Sequence, residues 1–352
     1  MQSLLHTYKR YRTLQTHTVS ALPLVILMPH SACNCRCAMC DIWKGNKNLQ
    51  QLKEEDIRGL LSSLKYFGTR QVVMSGGEAL LNPAFFTFCK MLRQQNIQVV
   101  LLTTGLTIVQ HAEQLVQWVN EIIVSLDGDE PLHNDIRNIP GAFGKLKEGI
   151  NKIRSLKPGY KISGRTVIHA LNYKAWPRIV KTSKELGLDS ISFLPADVSS
   201  QAFNRKTPWD AERQQEIAIE KEELPQLKKV IEQLIQTYAT EFSEGYIRES
   251  PEKIWKLYWY YSALNGLNPF PYKKCNAPWV SAVIEADGSV LPCFFHPSIG
   301  NIRTEKLRDI INSRVARDFR KNLDMRINTT CSKCVCSLYL KPSFNPASMN
   351  AL

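Results

Sequence analysis

Cys33-Asn34-Cys35-Arg36-Cys37-Ala38-Met39-Cys40 follows closely on the apolar run Leu24-Val25-Ile26-Leu27-Met28. Through Cys33, Cys37 and Cys40 the cysteines read C-x3-C-x2-C, all on one tight loop at the end of a strand-like segment. Three thiolates so placed suit an iron–sulfur cluster that keeps one iron free of protein ligands, whereas a structural site closes every position. A zinc loop would use the same residue type, so the choice rests on what surrounds the loop.

Outward from the loop the chain alternates. The first strand is expected near 23–28. Apolar residues at helical spacing cover 52–66 and stop at Gly68, and a short strand over 71–74 ends at Ser75-Gly76-Gly77-Glu78. A helix near 84–95 leads to a strand over 97–102 ending at Thr103-Thr104-Gly105, and a helix over 108–118 to a strand over 121–125 ending at Leu126-Asp127-Gly128. A loop through His133 and Arg137 precedes a helix near 142–155, a strand over 161–168, a helix over 174–186 and a strand over 190–194. Alternation of this kind gives a parallel sheet with right-handed crossovers. Six units fall short of the eight in a closed barrel of ~250 residues. The fold class expected is therefore α/β: a partial (β/α)6 TIM-like barrel, open on one side, with a small C-terminal α+β cluster-binding module. The Cys loop and the segments after strands two, three and four would share the functional face at the C-terminal ends of the strands.

The 352 residues divide into an N-terminal extension (1–20), the barrel core (21–200), a helical connecting region (201–270), the C-terminal module (271–340) and a loosely held tail (341–352). The aromatic belt Trp255, Tyr258, Trp259, Tyr260 and Tyr261 reads as packing. From Cys275 a small separate unit is expected, with a hairpin of 280–285 and 289–291 around Asp287-Gly288. Apolar residues make up 44% and charged residues 22%, ordinary for a globular protein. The net charge of +13 favours anionic partners without naming one. Lys and Arg are scattered, with no basic run of the kind that forms a nucleic-acid tail, so nucleic acid is not an expected partner. Residues 21–29 are broken by two prolines and too short for the ~20 residues of a membrane span, so no membrane contact is expected. Nine of the ten cysteines gather toward the two ends of the chain, which suits cluster ligation in a reducing compartment, and the cytoplasm is the expected location.

The Cys loop, joined one β/α unit later by Gly76-Gly77-Glu78, resembles the signature of radical S-adenosylmethionine (radical SAM) enzymes. That resemblance implies a [4Fe–4S] cluster on Cys33, Cys37 and Cys40 whose open iron binds S-adenosylmethionine (SAM). Gly76 and Gly77 would let backbone approach SAM closely, and Glu78 would accept from its ammonium group. Met39 stands where the family usually has an aromatic beside the adenine; Cys35 reads as a spectator. By the same resemblance Ser125 would meet the ribose hydroxyls, Arg165 and Asn172 the SAM carboxylate and ribose, and Leu194 the adenine. His133, Asp135 and Arg137 resemble a motif of relatives that carry auxiliary clusters. Asp197, just past strand six, is a candidate general base.

Near the C-terminus Cys275, Cys293, Cys331 and Cys334 form C-x17-C-x37-C-x2-C, which resembles the auxiliary-cluster module called SPASM when full and twitch when shortened. Five cysteines imply one fully ligated auxiliary [4Fe–4S] cluster, with Cys336 spare or in the place of Cys334; a zinc ribbon is the alternative. The resemblance then implies a radical SAM oxidoreductase that dehydrogenates a small polar metabolite, similar to the 2-deoxy-scyllo-inosamine dehydrogenase type. An electron donor such as flavodoxin or ferredoxin would serve it. The alternative is a maturase acting on a ribosomally made peptide; the short stretch before the first strand leaves no room there for a fused peptide-recognition domain.

Overall fold

The computed structural model describes residues 4–205 and 207–343. Six parallel strands, β1 (Leu24–Leu27), β2 (Gln71–Met74), β3 (Gln98–Thr103), β4 (Glu121–Ser125), β5 (Lys161–Ile168) and β6 (Ser190–Pro195), lie side by side in chain order. An N-terminal helix α1 (Leu4–Thr16) precedes them. The crossovers carry α2 (Glu54–Phe67), α3 (Phe85–Gln94), α4 (Ile108–Trp118), α5 (Glu130–Arg137), α6 (Ala142–Leu156) and α7 (Trp176–Glu185). The strands are rich in Val, Ile and Leu because both faces are covered. Alternate side chains separate the faces. Val25, Leu27, Val72, Met74, Val99, Leu101, Ile122 and Val124 join the main core under the helices. Leu24, Ile26, Met28, Val73, Val100 and Ile123 form a second cluster on the opposite, lumenal face.

The C-terminal residues depart from the expected separate unit. Strand β7 (Ser281–Ile284) pairs in parallel with β1, from Leu24↔Ser281 to Leu27↔Ile284, and β8 (Ser289–Leu291) and β9 (Gly300–Asn301) follow antiparallel. One nine-stranded sheet results, in the order β6-β5-β4-β3-β2-β1-β7-β8-β9. The physical reason is the free edge of β1, whose amides and carbonyls find partners on β7. Trp279, Val280, Val283, Leu338 and Leu340 pack against the lumenal face of β1–β4, with Cys275 and Cys293 beside them. The strand directions place the two cysteine sets. Cys33–Cys40 follow β1 at the C-terminal ends of the parallel strands; Cys275 precedes β7 and Cys293 follows the reversed β8, so both lie toward the N-terminal ends.

Two further differences bear on the site. Residues 130–137 form helix α5 rather than a loop, started by Pro131 in its first turn and ended by Asn138 in the left-handed conformation. Part of the 1–20 extension is a docked helix: α1 buries His6, Arg10 and Thr13, and Arg10 donates to the carbonyl of Lys341 at 2.5 Å. The connecting region forms α8 (Ala211–Ile217), α9 (Leu224–Thr237), α10 (Ala239–Ser243) and α11 (Pro251–Leu264). Tyr260 and Tyr261 of α11 are buried, and their hydroxyls donate to the carbonyls of Ala196 and Ile168 beyond β6 and at the end of β5. Residues 344–352, most of the proposed tail, lie outside the described residues. Among the described residues no helix is long and apolar enough to cross a membrane.

Candidate active site

The cysteine loop is held by backbone bonds to the end of α5. The amide of Arg36 donates to the carbonyl of Arg137 at 3.1 Å, and the amide of Ala38 to that of Ile136 at 3.0 Å. Asn46 grips Cys33 from the other side, accepting from its amide at 3.0 Å and donating to its carbonyl at 2.9 Å. Arg213 donates to the carbonyl of Ala38, and Trp209 to the Asp41 carboxylate at 2.6 Å. Asn46, Trp209 and Arg213 carried no motif in the sequence. Only the loop's need for fixed backbone partners could have pointed to them.

The thiols differ in character. The Cys37 thiol lies below its ordinary range through its closeness to Cys35 and the nearby Arg137 charge, while Cys35 lies above its own. Burial pushes Cys33 up to about 12 and Cys40 up to about 11. The guanidinium of Arg137 also donates to Cys37 Sγ at 3.4 Å. It pairs with the fully buried Asp127 at 2.5 Å. Burial leaves His133 and His169 neutral, each at about 3. Among the described residues no three His, Cys, Asp or Glu side chains close on a single-ion site. Three thiols from one loop, one of them already accepting an N–H donor, fit an iron–sulfur cluster.

Gly76-Gly77-Glu78 packs directly on this loop. The amide of Glu78 donates to the carbonyl of Ala32 at 2.8 Å, and a Cβ on Gly77 would lie 2.1 Å from that oxygen. Gly76 adopts φ +107°, in the left-handed region that favours glycine. The glycines thus serve close approach to the protein's own backbone. The Glu78 carboxylate is wholly buried and accepts from Thr103 Oγ1 at 2.9 Å, Thr104 N at 2.8 Å, Thr104 Oγ1 at 2.8 Å and Leu80 N at 3.2 Å. Three of these contacts fall on Oε2 and one on Oε1, so the carboxylate is tied chiefly through Oε2 to the end of β3 and the residue that follows it.

The other sequence-derived residues divide in two. Ser125, Arg165 and Ser192 stand abreast on β4, β5 and β6, and Arg165 Nε donates to Ser192 Oγ at 3.1 Å. Arg165 is surrounded by protein yet reachable by solvent, and burial pulls its guanidinium below its ordinary range. Met39 packs with Ala196, Val198 and Trp209, at the level where β6 ends, and Leu194 is half-buried nearby. Asn172 and Asp197 are engaged elsewhere. The Asn172 amide donates to the carbonyls of Asp127 and Val167 and accepts from His169 N, which leaves little for a ribose. Asp197 is buried in an ion pair with Arg205 at 2.8 Å and also accepts from Ser200. A carboxylate locked in this way is poorly placed to act as a base.

Cys275, Cys293, Cys331 and Cys334 form a second set, near enough for their charges to interact. His296 Nε2 lies 3.3 Å from Cys331 Sγ. Burial raises Cys293 to about 12 and Cys331 to about 11. The Cys334 thiol donates to the carbonyl of Cys336 at 2.8 Å, and Lys273 donates to the carbonyl of Cys334. Cys336 stands among Arg165, Lys273, Asp197 and Cys275 and also faces Cys334, so it belongs to the same group of thiols.

The arrangement of a thiol loop, its glycine partner and a second thiol set agrees with two family models. Residues 27–193 match the radical SAM superfamily and residues 275–335 the SPASM iron–sulfur cluster-binding domain. The chain belongs to the radical SAM superfamily. This radical SAM protein is 23% identical over 308 residues to an AdoMet-dependent heme synthase of Methanosarcina barkeri, covering 82% of each chain. It is 24% identical over 346 residues to a cysteine-type anaerobic sulfatase-maturating enzyme of Clostridium novyi, covering 90% of this chain and 86% of that one. Among solved structures it superposes on Streptococcus suis SuiB bound to precursor peptide SuiA with TM-score 0.64 and 16% identity, over 93% of this chain and 73% of that one. On native anSMEcpe with bound AdoMet the TM-score is 0.61 at 18% identity, over 94% and 92%. The protein is a radical SAM enzyme with a mixed α/β, partial-barrel fold, and its cofactors are SAM, a [4Fe–4S] cluster and auxiliary iron–sulfur clustering in the SPASM domain.

Proposed function

We propose that this radical SAM enzyme dehydrogenates a small polar metabolite held in the lumen between the two cysteine sets. The observation that supports the reading is that one sheet carries both thiol sets, Cys33–Cys40 after β1 and Cys275 and Cys293 flanking β7–β8, with Cys336 within charge range of Arg165 on β5. Cys33, Cys37 and Cys40 would hold the SAM-binding cluster, and Cys275, Cys293, Cys331 and Cys334 one auxiliary cluster. When bound, these groups supply a 5′-deoxyadenosyl radical that takes a hydrogen atom from substrate, and an acceptor for the electron left behind. Arg165 and Ser125 would orient the polar groups of SAM, Met39 and Leu194 would cover its adenine, and backbone of the Gly76-Gly77 segment would face its amino-acid end. The lumenal apolar residues exclude water around the reacting C–H.

Loss of an electron and a hydrogen atom by the substrate leaves one proton to remove. With Asp197 bound to Arg205, Glu285 is the carboxyl suited to take it. It follows β7 in register with Met28, its carboxylate makes no ion pair among the described residues, and burial with the nearby Asp287 charge pushes it up to about 7. A group titrating near neutrality is matched to proton transfer.

Modification of a peptide is the second reading, favoured by the likeness to SuiB, whose structure holds a precursor peptide, and to the sulfatase-maturating enzyme. Anaerobic reconstitution tests the common core: about eight irons per chain and SAM cleavage on reduction are expected, and zinc without iron would sink it. Cys33→Ala should abolish SAM cleavage; Cys275→Ala should spare it and lose product. Product formation from polar metabolites against short peptides then separates the two readings.

A further inference from the structure

We infer that the buried Asp127–Arg137 pair sets the reduction potential of the cluster on the Cys33–Cys40 loop and fixes that loop's position. The inference rests on Cys37 being a cluster ligand. Two links join the pair to the loop. The first is covalently local to α5: the carbonyls of Ile136 and Arg137 accept from Ala38 and Arg36, so the last turn of the helix holds the backbone on both sides of Cys37. The second is electrostatic: Arg137, 7% exposed, aims Nη1 at Cys37 Sγ while Nη2 pairs with Asp127.

An N–H donor and a positive charge beside a ligating sulfur stabilise the added electron of the reduced cluster, and the effect is undiminished by solvent where both groups are buried. Asp127 opposes it, since its negative charge sits behind the guanidinium and compensates it. The other groups facing the pair, His133 and His169, are neutral; Arg205 acts on Cys40 and Glu78 on Cys33 from other elements, and both stay in place when Arg137 or Asp127 is changed. Asp127 is itself held by its place two residues after β4, and α5 begins three residues later. The β4–α5 connection thus carries a charge couple to the underside of the cysteine loop.

This arrangement predicts shifts of opposite sign. Arg137→Met removes the donor and the charge and should lower the reduced-to-oxidised ratio at a fixed poise about tenfold, which is 59 mV for one electron. Asp127→Asn leaves the guanidinium uncompensated and should raise the ratio. Arg137→Lys, which keeps the charge without the planar fork, should fall between wild type and Arg137→Met. The measurement is an anaerobic EPR redox titration of the holoenzyme, following the part of the reduced-cluster signal that changes on adding SAM. Reduced-to-oxidised ratios of both charge variants within about twofold of wild type at unchanged iron content would overturn the inference, as would shifts of the same sign. If Arg137→Met loses iron, Arg137→Lys and Asp127→Asn decide by the same rule. A wild-type chain with no SAM-responsive cluster would instead show that the ligand assignment is wrong.

Discussion

Gly77→Ala is the substitution whose cost the structure defines most sharply. Its Cβ would stand 2.1 Å from the carbonyl oxygen of Ala32, 2.5 Å from the carbonyl carbon and 3.0 Å from the amide nitrogen of Cys33. All three are backbone atoms, so no rotamer change relieves the contact; the Gly-Gly-Glu segment or the cysteine loop has to move. Overpacking of a rigid site costs about 1–3 kcal/mol. Movement also endangers the Gly77–His30 and Glu78–Ala32 backbone bonds, at about 1 kcal/mol each. A loss of about 3–5 kcal/mol follows, together with weaker SAM binding, since the same loop carries the cluster ligands. Gly59→Ala serves as the control. It lies inside α2 with no atom within 4 Å of an added Cβ, and should stabilise by about 0.5–1 kcal/mol. Chemical denaturation of the reconstituted enzyme, with equilibrium dialysis of SAM, reads both quantities. A Gly77→Ala protein within 0.5 kcal/mol of wild type, binding SAM normally, would refute the close-approach argument.

Three other outcomes are expected. Asp197→Asn should cost about 3 kcal/mol by breaking a buried ion pair and leave SAM cleavage intact; an unchanged denaturation midpoint with lost product would restore Asp197 as the base. Arg165→Met should weaken SAM binding about ten- to a hundredfold through loss of a charge-assisted bond, and calorimetry showing the wild-type Kd would remove Arg165 from the SAM site. Glu285, raised to about 7, binds its proton more tightly folded than unfolded. Folding stability should therefore fall as pH rises from about 4.5 to 7. Glu285→Gln should match wild type near pH 4 and exceed it at pH 8 by on the order of 2 kcal/mol, and parallel stability curves for the two proteins would contradict this.

The barrel was legible because each strand is a short apolar run ended by a turn, and each helix before it carries its own apolar period. Helix α5 was not: its buried face is His133, Ile136 and Arg137, so the buried positions write no apolar stripe. The Gly76-Gly77 pair marked a close approach, but not to what, since Ala32 is adjacent only in the folded chain. Glu78, Asn172 and Asp197 were read by residue type and position. Their hydrogen bonds to Thr103 and Thr104, to His169 and to Arg205 are tertiary, and those of Asn172 and Asp197 use capacity that a ligand or proton would need. The pairing of β7 with β1 joins segments far apart in sequence, and a parallel neighbour at that range leaves no local pattern.

That pairing also sets an order of events during synthesis. Strand β1 emerges from the ribosome early, yet the segment that covers one of its edges is made only after residue 280. Through most of translation the barrel therefore presents an unprotected strand edge of four apolar residues, Leu24 to Leu27, to other nascent chains. Chains truncated before β7 should aggregate or recruit chaperones, whereas chains extended past β8 should not. Pulse-labelled chains released at successive lengths would show the transition, and the cysteine loop at the end of β1 should become competent to take iron only after it.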